Sequence, residues 1–142
     1  ETGETLSKTA VNSLTACVDV FVSLHRAEGF GLVMAEAMLL GTPVIATNWS
    51  ANTEFMNRES ACMVDYKKTA IEQDIPPFKK GYHWAEADVA QAAAYMKRLC
   101  DDSAFYEQKK AAAGAYIREK TKMQHSVSLL EDRLGKILEE RK

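Results

Sequence analysis

The chain has 142 residues, 46% of them hydrophobic and 27% charged, with a formal net charge of −2 at pH 7. That length supports a globular domain with its own core, and the near-balanced charge excludes a nucleic-acid partner held by clustered Lys and Arg. No run of about eighteen apolar residues without charge occurs, which excludes an apolar membrane-spanning helix.

Leu6, Ala10, Leu14 and Cys17 recur at helical spacing and predict a helix over residues 5–16. Residues 18–24 (VDVFVSL) are β-branched and aromatic and predict a buried strand. Gly29 and Gly31 then bracket Phe30, and an apolar helix runs to Leu40, where Gly41 ends it and Pro43 prevents its continuation. A second strand follows at residues 43–47 (PVIAT), a polar loop at 48–52, a helical turn at 53–57 and a third short strand at 61–65. Strand, helix and strand within about 25 residues is the spacing of a βαβ unit with a parallel sheet. Such sheets bind ligands beyond the carboxyl ends of their strands, where the loops 25–31 and 48–52 fall.

Residues 66–85 contain Pro76, Pro77, Gly81 and four lysines, and read as a long surface loop. Asp88 and Gln91 have the spacing of a capping box, and Val89, Ala92, Met96 and Leu99 make an apolar helical stripe. Ser103 is placed to cap a second helix reaching Lys120, and Val127, Leu130, Leu134 and Ile137 mark a third. These stripes read as core or partner-facing surface. The expected organisation is one domain over residues 1–142: a βαβ core at 1–65, a loop at 66–85 and a helical segment at 86–142.

Cys17, Cys62 and Cys100 are scattered and odd in number, which suits a reducing compartment and gives no metal-ligand spacing. Each has apolar neighbours and reads as a small buried hydrophobe. His25, His83 and His125 are equally dispersed, so no metal is expected. The opening Glu1, Thr2, Gly3 and Glu4 is polar and acidic rather than a signal peptide. The chain also begins without Met, as a fragment of something longer would.

Between Phe30 and Thr47, Glu36 is the one charged residue in eighteen. A carboxylate on an apolar helix costs on the order of several kcal/mol unless a ligand hydroxyl, a backbone amide or a cation meets it. Glu28 stands eight positions earlier, at the mouth of the strand–helix turn, so the two carboxylates could reach opposite ends of a ligand lying across the helix N-terminus. Gly29 and Gly31 let backbone approach a ligand closely, and free amides at a helix start favour phosphate. Carboxylates accept from sugar hydroxyls while amides suit a diphosphate, a combination that fits a nucleotide diphosphate sugar better than free phosphate. A dinucleotide-binding turn would need Gly or Ala where Met34 stands. A non-catalytic Rossmann-like nucleotide-binding or interaction module is the competing reading.

Glu28-Gly29-Phe30-Gly31-Leu32, then Ala35-Glu36-Ala37-Met38, then Gly41-Thr42-Pro43-Val44-Ile45-Ala46 resemble the Glu-x7-Glu signature of family 4 glycosyltransferases, retaining enzymes of the GT-B fold. The resemblance runs from about Asp19 to Asp65 and, more loosely, through Trp84 to the C-terminal helices. It implies an α/β fold: a partial Rossmann-like C-terminal domain with a small parallel sheet, flanking helices and further C-terminal helices. By that resemblance Glu28 is the catalytic-site carboxylate contacting donor sugar hydroxyls. The backbone of Gly29, Phe30, Gly31 and Leu32 lies against sugar and diphosphate, and Glu36 binds the ribose. The substrate is a nucleotide diphosphate sugar, with no cofactor and no metal. Hexosyl transfer retains the anomeric configuration, the leaving phosphate helping to accept the acceptor's proton.

Ser23-Leu24-His25-Arg26 and Asn48-Trp49-Ser50-Ala51-Asn52 resemble a bacterial subgroup of that family, which makes His25, Arg26 and Asn48 candidate substrate contacts. Beside that stand plainer roles: His25 and Arg26 as a capped strand end, Asn48 and Asn52 as turn formers, Trp49 as a lid or packing residue, and Trp84 as an anchor for the loop. Family members often carry Gly where Ala51 stands and Pro where Val33 stands. The family's basic pair, which neutralises the donor diphosphate, has no counterpart before Glu28, and its acceptor-binding N-terminal domain is missing. The resemblance therefore implies the donor-site portion of a longer enzyme, inactive alone. The parent is expected to be cytoplasmic or peripheral to the inner membrane, using a glycan or lipid-linked acceptor in bacterial cell-surface polysaccharide synthesis. An exposed sheet edge would favour self-association.

Overall fold

The computed structural model describes residues 5–140, with the side chains of Gln124 and His125 outside the described set. Ser7 opens the first helix, α1 (Lys8–Cys17), its side chain accepting from the amide of Ala10 at 3.2 Å. Three strands follow as a parallel sheet in the order β1 (Phe21–Ser23), β2 (Val44–Thr47), β3 (Cys62–Val64), with α2 (Leu32–Leu39) as the crossover between the first two. The expected α/β architecture, a small parallel sheet flanked by helices, is present. β1 is shorter than the apolar run 18–24 because it is an edge strand with only the four residues of β2 to pair against. Its register is Phe21 with Val44 through Ser23 with Ala46.

The end of α2 follows from Gly41, held in the left-handed region at φ 81°. Gly41 donates to Met38 O and Thr42 donates to Ala37 O, which together satisfy the last-turn carbonyls and send the chain into β2. Alternation along β2 and β3 divides the core between the two sheet faces. Val44, Ala46 and Met63 pack with Met34 and Met38 of α2, and Ile45, Cys62 and Val64 pack on the other face with Ala92 and Leu99. The latter two belong to α3 (Val89–Asp101). α4 (Ser103–Lys120) serves both faces, adding Ala113 and Ile117 to the first and Phe105 to the second.

Residues 66–85 are not an unstructured loop. They hold the strand β4 (Tyr66–Ala70) and most of β5 (His83–Ala87), an antiparallel pair registered from Tyr66 with Ala87 to Ala70 with His83. All the turn formers, Pro76, Pro77 and Gly81, lie in the connection between the strands. Lys67, Lys68 and Thr69 of β4 are exposed, so no apolar alternation announces it. The helical turn expected at 53–57 is a 3-10 helix at Ala51–Glu54, starting two residues earlier and ending three earlier.

Asp88 caps α3 by accepting from the amide of Gln91 at 3.0 Å, but only half of the expected capping box forms. The side chain of Gln91 turns to Asp65 at the end of β3, and its amide holds the Asp65 carboxyl below the usual carboxylate range. Asp102, not Ser103, caps α4, accepting from Phe105 N at 2.9 Å. The last helix, α5 (Met123–Glu139), leaves Val127, Leu130 and Leu134 exposed and, among the described residues, packs on no other element to any substantial extent.

The cysteines divide where the sequence reading had all three buried: Cys62 is buried, but Cys17 and Cys100 are exposed. Cys17 is the last residue of a helix whose one buried residue is Thr15, and Cys100 lies on α3 beyond the buried Leu99. Burial pushes the Cys62 thiol up from 9.0 to about 11, against the opposing pull of Lys109 and Arg98. At pH 8 a disulfide reagent is expected to label Cys17 and Cys100 quickly and Cys62 only on unfolding. A folded-state value above the unfolded one means this contribution to stability is complete below pH 9 and is lost as pH rises through about 11. Unfolding midpoints of the parent chain and Cys62→Ala, compared from pH 8 to 11, check it: the difference between them should shrink on the alkaline side.

Candidate functional site

The site is built where β1 hands over to α2. Gly31 is the N-cap of α2 in the left-handed region, φ 91° and ψ 39°, and its carbonyl receives the first helical bond from Ala35 N at 3.0 Å. A side chain at Gly31 would put its Cβ 2.7 Å from Met34 Cε and 3.3 Å from Phe55 Cζ, so both the backbone and the packing demand glycine. Gly29 is different. A Cβ there would meet nothing within 4 Å, so the fold itself makes no demand for glycine.

Glu28 folds back on this turn. Its Oε1 accepts from Gly29 N at 2.8 Å and from Gly31 N at 3.1 Å, placing a carboxylate at the positive end of the α2 dipole. The amides at the very start of a helix have no partner within it, so the carboxylate answers one orphan donor and the helix's own geometry leaves others facing outward. The Glu28 carbonyl accepts from the hydroxyl of Ser50, in the loop after β2. Ser50 adopts φ 79°, a left-handed conformation that costs a non-glycine residue about 1 kcal/mol or more. Its carbonyl is held by Thr53, from N at 3.2 Å and Oγ1 at 2.8 Å, which fixes that conformation.

A cleft of about 360 Å³ opens here, lined among others by Ser23, Glu28, Phe30, Gly31 and Leu32. Phe30 stacks at 5.0 Å on Phe55 and is still half exposed, and Leu32 is exposed, so apolar surface flanks the helix start. The structure thus brings together Glu28, Phe30, Gly31 and Leu32, with Gly29 in the connecting turn. Glu36 does not line this cleft. Its partner is a cation: Lys8 of α1 forms an ion pair with Glu36 Oε1. Lys8 is the one Lys or Arg before Arg26, a signal that could have marked it, but nothing in the spacing tied it to Glu36, 28 residues away.

The other candidates take up structural ties. His25 Nε2 lies 3.0 Å from the carbonyl of Trp49 and Nδ1 lies 3.1 Å from Ser23 Oγ. A carbonyl only accepts, so Nε2 carries hydrogen, and in the neutral ring Nδ1 accepts from the serine hydroxyl. Arg26 turns to the hairpin, pairing with Glu86 at 2.8 Å and lying over the Trp84 ring at 4.8 Å, while its carbonyl accepts from Ala85 N. Asn48 donates its backbone amide to Val64 O at the end of β2. Trp49 packs at 5.0 Å on Tyr66 with Lys68 over its ring, a packing residue between sheet and hairpin. Trp84 anchors the hairpin against Arg26 and Phe78.

Asn52 is not a turn former at the surface but a fully buried brace. Its Nδ2 donates to Thr47 O at 3.0 Å, and its Oδ1 and Thr47 Oγ1 have no hydrogen-bond partner among the described residues. It sits beneath Gly31, its Cβ 3.5 Å from where a Gly31 Cβ would stand. Ser50, given no role of its own from the sequence, and Asn52, read there as a turn former, build the site through side chains that donate to the backbone carbonyls of Glu28 and Thr47.

A family model described as Glycosyl transferases group 1 matches residues 2–102, most of the chain, including the cleft, both sheets and α3. The chain belongs to the group 1 glycosyltransferases. No curated protein matches it. For a group 1 glycosyltransferase the general substrates are a nucleotide-sugar donor and a glycan acceptor. Within this glycosyltransferase domain, no group of His, Cys, Asp and Glu among the described residues is placed to hold a metal ion, and no helix among them is long and apolar enough to cross a membrane.

Proposed function

We propose that the cleft at the start of α2 is the donor site of a retaining, family 4 type hexosyltransferase that takes a nucleotide diphosphate sugar. The observation that carries this reading is the convergence of the Gly29 and Gly31 amides on one carboxylate oxygen at a helix N-terminus, within the span matched to the family. Donors arranged to hold an anionic oxygen suit a phosphate oxygen equally well. In this reading the donor diphosphate takes over those amides, releasing Glu28 to accept from the sugar hydroxyls. The open space beside Gly29 leaves room for that approach. Glu36 exchanges Lys8 for the ribose hydroxyls. His25 and Asn48, at the ends of β1 and β2, position the loops around the sugar.

The leaving phosphate assists in accepting the proton of the acceptor hydroxyl, so the anomeric configuration is retained without a cofactor. The wider role we infer is transfer to a glycan or lipid-linked acceptor in bacterial cell-surface polysaccharide synthesis, at the cytoplasmic side of the membrane. Pairing at the β1 edge would bring two copies together. A non-catalytic nucleotide-binding or interaction module is the second reading, and the lining of the cleft, in which no side chain is cationic, favours the interaction module.

Saturation-transfer NMR of the chain with UDP-, GDP- and ADP-sugars tests the donor site. One of the three should receive transfer, and Gly29→Ala should weaken it by roughly tenfold while the unfolding temperature stays within about 2 °C. No transfer to any of the three would sink the proposal, and so would an undiminished signal in a folded Gly29→Ala chain.

A further inference from the structure

Ser50 holds a conformation that its own side chain disfavours. At φ 79° and ψ −164° it lies in a region that glycine fills freely and that other residues occupy only where their surroundings impose it. The surroundings do so on both sides. The carbonyl before it, that of Trp49, accepts from His25 Nε2 at 3.0 Å, and its own carbonyl accepts from Thr53 N at 3.2 Å and Oγ1 at 2.8 Å. Two residues on, the fully buried Asn52 ties the segment back to Thr47 O at 3.0 Å. A glycine would follow this path without conformational cost, so what serine adds here is its hydroxyl.

That hydroxyl donates to the Glu28 carbonyl, 22 residues away. The Glu28 carbonyl and the Gly29 N–H are opposite ends of one planar trans peptide unit, so a bond that fixes the oxygen also fixes the direction of the N–H. Little else constrains that unit. Gly29 has no side chain, and nothing stands within 4 Å of where a Cβ would be. Its N–H meets Glu28 Oε1 at 2.8 Å at an exposed position. Gly31, whose amide meets the same oxygen, is instead held by its place at the cap of α2 and by the packing of Met34 and Phe55. Of the two amides, the one at Gly29 therefore depends on Ser50.

We propose that Ser50 is a positioning residue: its hydroxyl locks the Glu28–Gly29 peptide so that the Gly29 N–H stays aimed at the oxygen it is to hold. Under the donor reading above, on which this role rests, that oxygen belongs to the donor diphosphate. The strained backbone at Ser50 then keeps a donor amide in place before the ligand arrives.

Ser50→Ala and Ser50→Gly in the full chain separate the hydroxyl from the strain. Both remove the hydroxyl, but alanine keeps the disfavoured backbone and glycine relieves it, so the glycine variant should unfold about 4 °C above the alanine variant. In NMR spectra of the ligand-free chains the Gly29 amide proton should move upfield in both variants as its hydrogen bond weakens, and the Gly31 amide should move less. Titration with UDP, GDP and ADP should show the nucleotide that the parent chain binds held roughly tenfold more weakly by both variants alike, as for the loss of one hydrogen bond to a charged oxygen. A serine that served only stability would weaken binding in the alanine variant and spare it in the glycine variant.

A Gly29 amide unmoved in both variants overturns the proposal. Nucleotide affinity that is unchanged, or that follows the unfolding temperature, overturns it too and leaves the donor reading standing. If the parent chain binds none of the three nucleotides, the donor reading falls. An upfield Gly29 shift then still upholds the lock on the peptide, and its absence removes both.

Discussion

Gly31→Ala is expected to lower the unfolding temperature by about 10 °C, from roughly 3 kcal/mol of lost stability. Two terms make up that loss. Holding an L-residue in the left-handed region at φ 91° costs about 1–2 kcal/mol. Crowding in a packed interior adds about 1–3 kcal/mol, because the new Cβ would lie 2.7 Å from Met34 Cε and 3.3 Å from Phe55 Cζ. Met34 and Phe55 are both buried, and the Phe55 ring packs at 5.0 Å on Phe30, so relief through the methionine is partial. Differential scanning calorimetry of the parent chain, Gly29→Ala and Gly31→Ala separates the two glycines. A drop in Gly31→Ala as small as that in Gly29→Ala would mean that the turn relaxes into another conformation.

Lys109→Met is expected to cost about 3 kcal/mol, with denaturant unfolding as the measurement. Lys109 is a buried lysine of α4 whose ammonium donates to the carbonyls of Arg58, Glu59 and Ala61, in the turn that leads into β3. Burial holds its pKa below the usual lysine range, yet those carbonyls and the face of Phe105 surround the charge. Methionine keeps most of the apolar stem and removes the ammonium that donates to those three carbonyls, at about 1–3 kcal/mol for each buried acceptor left without a partner. The Lys109 charge also restrains the rise of the Cys62 thiol, so Lys109→Met should move that thiol further up. An unchanged denaturation midpoint would show that water reaches the turn.

The parallel sheet and the crossover helix were legible because each rests on a local pattern: a β-branched run, an apolar helix with Gly41 behind it, and Pro43 opening the next strand. Glu28, Gly29 and Gly31 were legible for the same reason, as charge and glycine in an otherwise apolar stretch. The hairpin was not. Its strands carry Lys67, Lys68 and His83 on open faces, and its turn formers outweighed them. Lys8 meets Glu36 only through the packing of α1 beside α2, a tertiary fact without a sequence spacing. Ser50 and Asn52 were hidden because their side chains bond to main-chain carbonyls of Glu28 and Thr47, partners whose identity no pattern reports. Cys17 and Cys100 misled because apolar neighbours in sequence do not place a residue on the inner face of its helix.

The short segment from His25 to Glu28 is fastened at three places: His25 to the Trp49 carbonyl, Arg26 to Glu86 and Trp84, and the Glu28 carbonyl to Ser50. Such a segment has little slack. Drawing Glu28 out of its turn would also load the Arg26 anchor, and displacing the hairpin at Arg26 would load the Glu28 turn. The turn before α2 and the β4–β5 hairpin then share one mechanical element, so a strain applied at either is felt at the other.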